Sequence, residues 1–235
     1  MLKFLMDKYI KSDDFTKCEN RSRLISLTGY MGLFINALLF VVKLSVGLLI
    51  NSIAVIGDSF NNLSDTLTSL IAVFGSKISS KPADEDHPYG HGRGEYIASL
   101  FVGIVILLVG IQLFKSSIKN IMDPKDLNFN IWLLLILLVS VLFKVYMYFY
   151  NIRVYKMIDS PLNYGVAIDS RNDVIATSAV ILSILVGRFF KVNIDGFAGI
   201  AVSFMVMYSG YGILKDMGNI LIGREVEGSL IDRVR

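Results

Sequence analysis

Six long apolar stretches alternate with short polar segments along this chain. A helix needs about 20 mostly apolar residues to cross a bilayer, and each stretch is roughly that long. The pattern therefore predicts an all-α membrane protein with six transmembrane helices, at residues 27–50, 53–76, 94–114, 129–150, 162–185 and 196–214. The turn Asn51-Ser52 is so short that the first two spans are expected to form an antiparallel hairpin.

Composition agrees with a membrane location and argues against other classes. Hydrophobic residues make up 54% of the 235 residues and charged residues 18%, which is too apolar for an ordinary soluble domain. The formal net charge of +3 gives no case for nucleic acid as a partner. The predicted organisation is a cytoplasmic segment at 1–26, a six-helix transmembrane domain at 27–214 and a polar tail at 215–235.

Orientation follows from the distribution of lysine and arginine. If both termini are cytoplasmic, most of the basic residues outside the spans lie on the cytoplasmic side, as the positive-inside rule requires. The chain is therefore expected to be N-in and C-in, as a multi-pass protein of the plasma membrane, such as a bacterial inner or cell membrane. Lys43 and Lys144 lie within spans, where pairing with a neighbouring helix or snorkelling is the favoured interpretation.

Two polar pairs interrupt the apolar spans and carry the candidate chemistry. Asn61 with Asp65, and Asp169 with Asp173, are each spaced four residues apart, which places both members on one face of a helix. Hydrogen bonding between helices would explain a lone asparagine. Three carboxylates repeated on two spans instead favour a divalent-cation site, because a buried carboxylate is costly unless it is paired or hydrated.

The ligand types bear on the choice of metal. High-affinity zinc sites normally use histidine nitrogen or cysteine sulfur, whereas all four candidates here offer oxygen. Oxygen donors suit Mg²⁺, Ca²⁺ and Mn²⁺, and the coordination that four side chains plus a carbonyl or water provide favours Mn²⁺. Asp58, three residues before Asn61, shares roughly that face and is a candidate accessory ligand.

A second candidate site lies in the loop after the second span. Asp84, His87 and His91 fall close together there, and they could bind a cation at the cytoplasmic mouth. A solvated turn rich in proline and glycine explains the same residues equally well from their spacing alone.

Three motifs together resemble the cation diffusion facilitator family, and the resemblance covers nearly the whole chain. The motifs are Gly-Asp-Ser-x-Asn-Asn-x-x-Asp at 57–65, Pro-Ala-Asp-x-x-His-Pro-Tyr-Gly-His-Gly-Arg-x-Glu at 82–95 and Asp-x-x-x-Asp at 169–173. The resemblance implies a homodimeric six-span antiporter that exports divalent cations from the cytoplasm in exchange for protons, with no cofactor. It also implies that Asn61, Asp65, Asp169 and Asp173 form the transport site and that Asp84, His87 and His91 form a loop site.

Two positions place the resemblance in one branch of that family. Zinc-type members usually carry His or Asp at the first position of the quartet and His at the third, whereas this chain has Asn61 and Asp169. It resembles the bacterial manganese-exporting branch in this respect. The expected function is therefore Mn²⁺ efflux by alternating access, with Zn²⁺, Fe²⁺ or Cd²⁺ efflux as the alternative.

Two further expectations complete the sequence-based picture. An intramembrane metalloenzyme is a remote alternative, because the sequence has neither a His-Glu-x-x-His motif nor a Gly-x-Ser-x-Gly nucleophile elbow.

Family members usually continue into a ferredoxin-like cytoplasmic domain that holds the dimer. This sequence is expected to lack that domain, with residues 215–235 as the start of the linker to it, and the dimer is expected to be weaker as a result.

Overall fold

A computed structural model describes residues 18–79, 94–124, 127–190 and 194–222. These residues form six α-helices, and each predicted span coincides with one of them, which confirms the all-α architecture. The helices are α1 (Cys18–Ile50), α2 (Ile53–Ser79), α3 (Gly94–Met122), α4 (Ile131–Ile158), α5 (Pro161–Phe190) and α6 (Asp195–Ile222).

Among the described helices, α1, α3, α4, α5 and α6 are each long and apolar enough to cross a membrane. Helix α2 is long enough but not apolar enough to meet the same criterion, because it contains Asp58, Asn61, Asn62 and Asp65. The chain is thus a multi-pass membrane protein by its helix lengths and compositions. The sixth span and the N-in, C-in orientation stay predictions.

The predicted hairpin between α1 and α2 is confirmed and has a defined turn. Asn51 adopts the left-handed conformation, with φ of 63°, which asparagine tolerates better than most residues. The Ser52 N–H donates to the carbonyl of Gly47 at 2.9 Å. The Ser52 hydroxyl accepts from the Val55 N–H at 3.1 Å and so caps the start of α2.

A buried carboxylate ties this turn to the other side of the bundle. Asp195, at the first residue of α6, is wholly buried and accepts a hydrogen bond from the Ser52 hydroxyl. It also accepts from the Ile53 N–H at 2.9 Å and from the Asn120 amide of α3 at 3.2 Å. We call this end of the bundle, where α1 ends and α2 and α6 begin, the turn end.

The break between α4 and α5 lies at the opposite end and is also encoded locally. Asp159 ends α4 in the left-handed conformation, with φ of 47°, and its N–H donates to the carbonyl of Tyr155 at 2.7 Å. Pro161 then starts α5, where its missing N–H and fixed φ cost nothing. At the turn end Asn130 caps α4 by accepting from the Trp132 N–H at 2.9 Å.

Helices α3 and α6 approach each other closely through glycines. A Cβ atom on Gly210 would lie 2.8 Å from the backbone nitrogen of Leu107, and one on Gly110 would lie 3.0 Å from that of Met207. Small residues permit such backbone contact between membrane helices, where packing rather than hydrophobic burial drives association.

An apolar cluster with members from all six helices fills the turn-end half of the interior. Its buried members are Val46, Ile50, Ala54, Val55, Ile106, Leu113, Leu134, Leu137, Val180, Ile181, Ile184, Val202 and Val206. Polar side chains occupy the next layers away from the turn end. This arrangement places charged groups of α1, α2, α4 and α5 together in the middle of the bundle.

Candidate metal centre

The two motifs predicted to share a site do lie against each other. Helix α2 presents Asn61 to α5, and the Asn61 amide nitrogen donates to Asp173 Oδ1 at 2.6 Å. Asp173 is buried, whereas Asn61 is half-buried. The first and fourth residues of the predicted quartet are therefore in direct contact across the helix interface.

A lysine from α4 completes this contact. Lys144 is only 2% exposed, and its ammonium forms an ion pair with Asp173. The same Nζ donates to Asn36 Oδ1 of α1 at 2.6 Å and lies 3.7 Å from Asp65 Oδ2. One ammonium group thus stands between two carboxylates of the quartet.

The remaining two carboxylates are more accessible. The Asp65 side chain is 30% exposed, and Asp169 is exposed. Asp65 follows Asn61 on α2 and Asp169 precedes Asp173 on α5, so both lie on the side of the site away from the turn end. Solvent exposure within the quartet therefore increases from the buried Asp173 to the exposed Asp169.

The quartet is not closed into a cage in this conformation. Within the described ranges, no group of three or more His, Cys, Asp or Glu side chains lies close enough to hold one metal ion. The structure brings Asp65 and Asp173 together at Lys144, with Asn61 bonded to Asp173, and leaves Asp169 on the accessible rim. Asp169 would have to move inward for four oxygen donors to surround one cation.

Asp58, the candidate accessory ligand, belongs to a separate polar layer nearer the turn end. Its Oδ2 lies 2.8 Å from Lys43 Nζ of α1, with both side chains almost wholly buried. The Thr177 hydroxyl of α5 donates to the same oxygen at 2.8 Å, and Lys43 also donates to Thr177 at 2.8 Å and to Asn62 Oδ1 at 3.0 Å. The structure thus places Asp58 with a lysine rather than with the quartet.

The hydrogen-bonding capacity of this second polar layer is not fully used. Asp58 Oδ1 and Asn62 Nδ2 are both buried and have no hydrogen-bond partner among the described residues. Buried polar atoms without partners are costly and are uncommon in folded proteins. The layer nevertheless joins α1, α2 and α5 through charged and polar contacts, next to the quartet on the side nearer the turn end.

The sequence analysis identified the acids but not which lysine neutralises which acid. It expected Lys43 and Lys144 to pair with a neighbouring helix or to snorkel, and both lysines pair. Lys144 belongs to the stripe of α4 that the structure buries, whose members recur every three to four residues. That stripe is Leu134, Leu137, Ser140, Lys144, Met147, Asn151, Val154 and Ile158, with Tyr150 beside it. The predicted loop residues Asp84, His87 and His91 lie outside the described residues.

Comparison with known proteins agrees with the resemblance that the sequence motifs indicate. The profile of a family described as the cation efflux transmembrane domain matches residues 30–222. An uncharacterized transporter of Methanocaldococcus jannaschii is 31% identical over 189 residues, which are 80% of this chain and 67% of that protein. The manganese efflux system protein MneS of Bacillus subtilis is 28% identical over 216 residues, covering 92% of this chain and 71% of MneS. The magnetosome protein MamM of Paramagnetospirillum magneticum is 35% identical over 164 residues, or 69% of this chain and 52% of MamM.

Proposed function

Because this chain belongs to the cation efflux family, we propose that it exports Mn²⁺ from the cytoplasm through the Asn61, Asp65, Asp169 and Asp173 site. The observation that carries the proposal is the contact between the two motifs, in which the Asn61 amide meets Asp173 at 2.6 Å across the α2–α5 interface. Two spans that lie apart in sequence thereby converge on one group of oxygen donors.

The choice of Mn²⁺ rests on ligand chemistry and on one relative. All four side chains of the quartet provide oxygen, which suits Mn²⁺ better than the nitrogen and sulfur donors that favour zinc. The related MneS of Bacillus subtilis is named a manganese efflux system protein. Zn²⁺, Fe²⁺ and Cd²⁺ are the alternative substrates that the same site must be tested against.

The burial of the site supports transport by alternating access. The exposed Asp169 and the partly exposed Asp65 lie away from the turn end, and towards the turn end Lys43, Asp58 and Thr177 are buried. If the amino terminus is cytoplasmic, the accessible side faces the cytoplasm and the buried layer separates the site from the outside. A cation would enter past Asp169 and leave only after the helices rearrange around the layer of Lys43 and Asp58.

Proton exchange is the proposed source of energy. Metal ions and protons compete for the same carboxylate oxygens, so returning protons can release the cation on the outer side. The proposed assembly is a homodimer of six-span protomers in the plasma membrane, with the transport domain at residues 27–214. The loop residues Asp84, His87 and His91 are proposed to modulate transport rather than carry it.

Flux into proteoliposomes tests the proposal. The purified chain should move Mn²⁺ when an opposing proton gradient is imposed, and Asp65→Ala should not. Competition with Zn²⁺, Fe²⁺, Co²⁺ and Cd²⁺ in the same assay then ranks the substrates. Preferred movement of Zn²⁺ would replace the substrate assignment, and absence of any divalent-cation flux would reject transport through this site.

A further inference from the structure

Lys144 occupies the place where a cation would meet Asp173. Both oxygens of Asp173 are already engaged, Oδ1 by the Asn61 amide at 2.6 Å and Oδ2 by the Lys144 ammonium. The same Nζ lies 3.7 Å from Asp65 Oδ2. A divalent cation that binds both carboxylates must therefore take over the position of this ammonium.

The lysine also bonds a second partner at the same time, and this partner is not one of the proposed transport ligands. Asn36 Oδ1 of α1 accepts from Lys144 Nζ at 2.6 Å, and Asn36 is itself buried. Asn36 can keep this hydrogen bond while the ammonium withdraws from Asp173. The charge then stays satisfied in the bundle, although a positively charged group and a dication would still repel each other at short range.

We propose that Lys144 is a tethered counter-cation of the empty transport site, which neutralises Asp173 and Asp65 when no metal is bound and withdraws onto Asn36 when a divalent cation enters. This inference rests on the proposed function of the quartet. It assigns to Lys144 a positioning role that opposes metal binding and favours the empty carrier.

Such a group is needed in a proton antiporter if any carboxylate of the quartet stays ionised while the carrier returns without metal. Carboxylates buried in a membrane domain are costly when no positive charge accompanies them. The ammonium supplies one charge in every empty state, so the unloaded helices can rearrange without exposing two bare anions to each other. The same ammonium opposes metal binding, because the entering cation must displace it.

The test separates binding from turnover in Lys144→Gln. Mn²⁺ affinity of the purified variant should rise by about tenfold, within the usual range of coupling between sites. Net export should fall by a similar factor, because the empty carrier no longer carries its own counter-charge. Mn²⁺-for-Mn²⁺ exchange, which needs no empty carrier, should stay close to that of the unmodified protein.

Two controls accompany this variant. Lys144→Arg keeps the charge and should keep the original affinity, whereas Lys115→Gln removes an exposed ammonium of α3 outside the quartet and should leave Mn²⁺ affinity unchanged. A Lys144→Gln protein that binds Mn²⁺ no more tightly than the unmodified chain overturns the inference. So does a loss of exchange in parallel with net export, since a merely structural lysine would affect both.

The thermal stability of Lys144→Gln, with and without Mn²⁺, also tests the inference. If Lys144→Gln is unstable without metal and Mn²⁺ raises its melting temperature by clearly more than it raises that of the unmodified protein, the metal is replacing the lost charge and the inference is supported. If the variant fails to fold with or without Mn²⁺, Lys144 is structural and the inference is overturned. If the unmodified protein binds no divalent cation, the proposed function itself fails.

Discussion

Lys43 and Asp58 form an ion pair in which Nζ lies 2.8 Å from Oδ2 and both side chains are at most 1% exposed. This pair joins α1 to α2 beside the quartet but uses none of its residues. The stability of the bundle therefore depends on a buried ion pair that lies outside the proposed transport site.

Breaking this pair from one side should be strongly destabilising. Lys43→Met leaves Asp58 buried and unpaired, so the free energy of unfolding should fall by about 3–5 kcal/mol. Lys43→Met combined with Asp58→Leu should cost clearly less than the sum of the two single changes, because neither charge is left alone. Thermal unfolding in detergent measures all three proteins, and additive effects would mean that the two residues are not coupled.

Loss of a quartet carboxylate should abolish transport, and Asp65→Ala and Asp169→Ala should do so without unfolding the protein. Asp65→Ala, Asp169→Ala and Asp173→Ala should each reduce Mn²⁺ flux by at least about a hundredfold, since even outer-shell changes at metal sites reach that size. Asp123→Ala, which removes an exposed carboxylate just after α3, is the matched control and should transport normally. Normal flux in any quartet variant would remove that residue from the site.

Selectivity should follow the donor atoms. Asn61→Asp with Asp169→His introduces an imidazole nitrogen and another carboxylate, which favour zinc and its tetrahedral geometry. The ratio of Zn²⁺ to Mn²⁺ flux should rise by about tenfold or more, within the range of measured couplings between sites. Competitive uptake of both ions measures the ratio, and an unchanged value would locate selectivity outside these four side chains.

Close packing of α3 on α6 gives a prediction about stability alone. Gly210→Ala places a Cβ 2.8 Å from the Leu107 backbone nitrogen, so one helix must shift, at a cost of about 1–3 kcal/mol. Gly212→Ala is the matched control, because no atom lies within 4 Å of its Cβ position and alanine favours the helix. Comparable melting temperatures for the two variants would show that the α3–α6 contact tolerates expansion.

The helices and the acids of the site could be predicted because their signals are local. Apolar length fixed the approximate positions of the helices, and the four-residue spacing within 61–65 and 169–173 placed two polar pairs on helix faces. The family assignment is confirmed by the profile that matches residues 30–222. The helices extend beyond most predicted spans, since polar residues at helix ends continue the hydrogen-bonded turns outside an apolar window.

The charge balance of the site could not be predicted because it depends on how helices pack. Asp169 and Asp173 share one face by spacing, yet one is exposed and the other buried, since the buried stripe of α5 passes through Asp173. The partner of Lys144 lies 29 residues away and that of Lys43 lies on the next helix. Spacing within one helix does not reveal which neighbour meets a lysine.

The polar face of α2 has a consequence for how the chain enters the membrane. Among the described helices α2 falls short of the apolarity that its neighbours have, yet only Asn51 and Ser52 separate it from α1. Such a segment partitions poorly into lipid on its own, because an aspartate at a helix centre disfavours insertion by the translocon. We therefore expect α1 and α2 to insert as one hairpin during synthesis, so that weakening the apolar surface of α1 would also misplace the carboxylates of the proposed transport site.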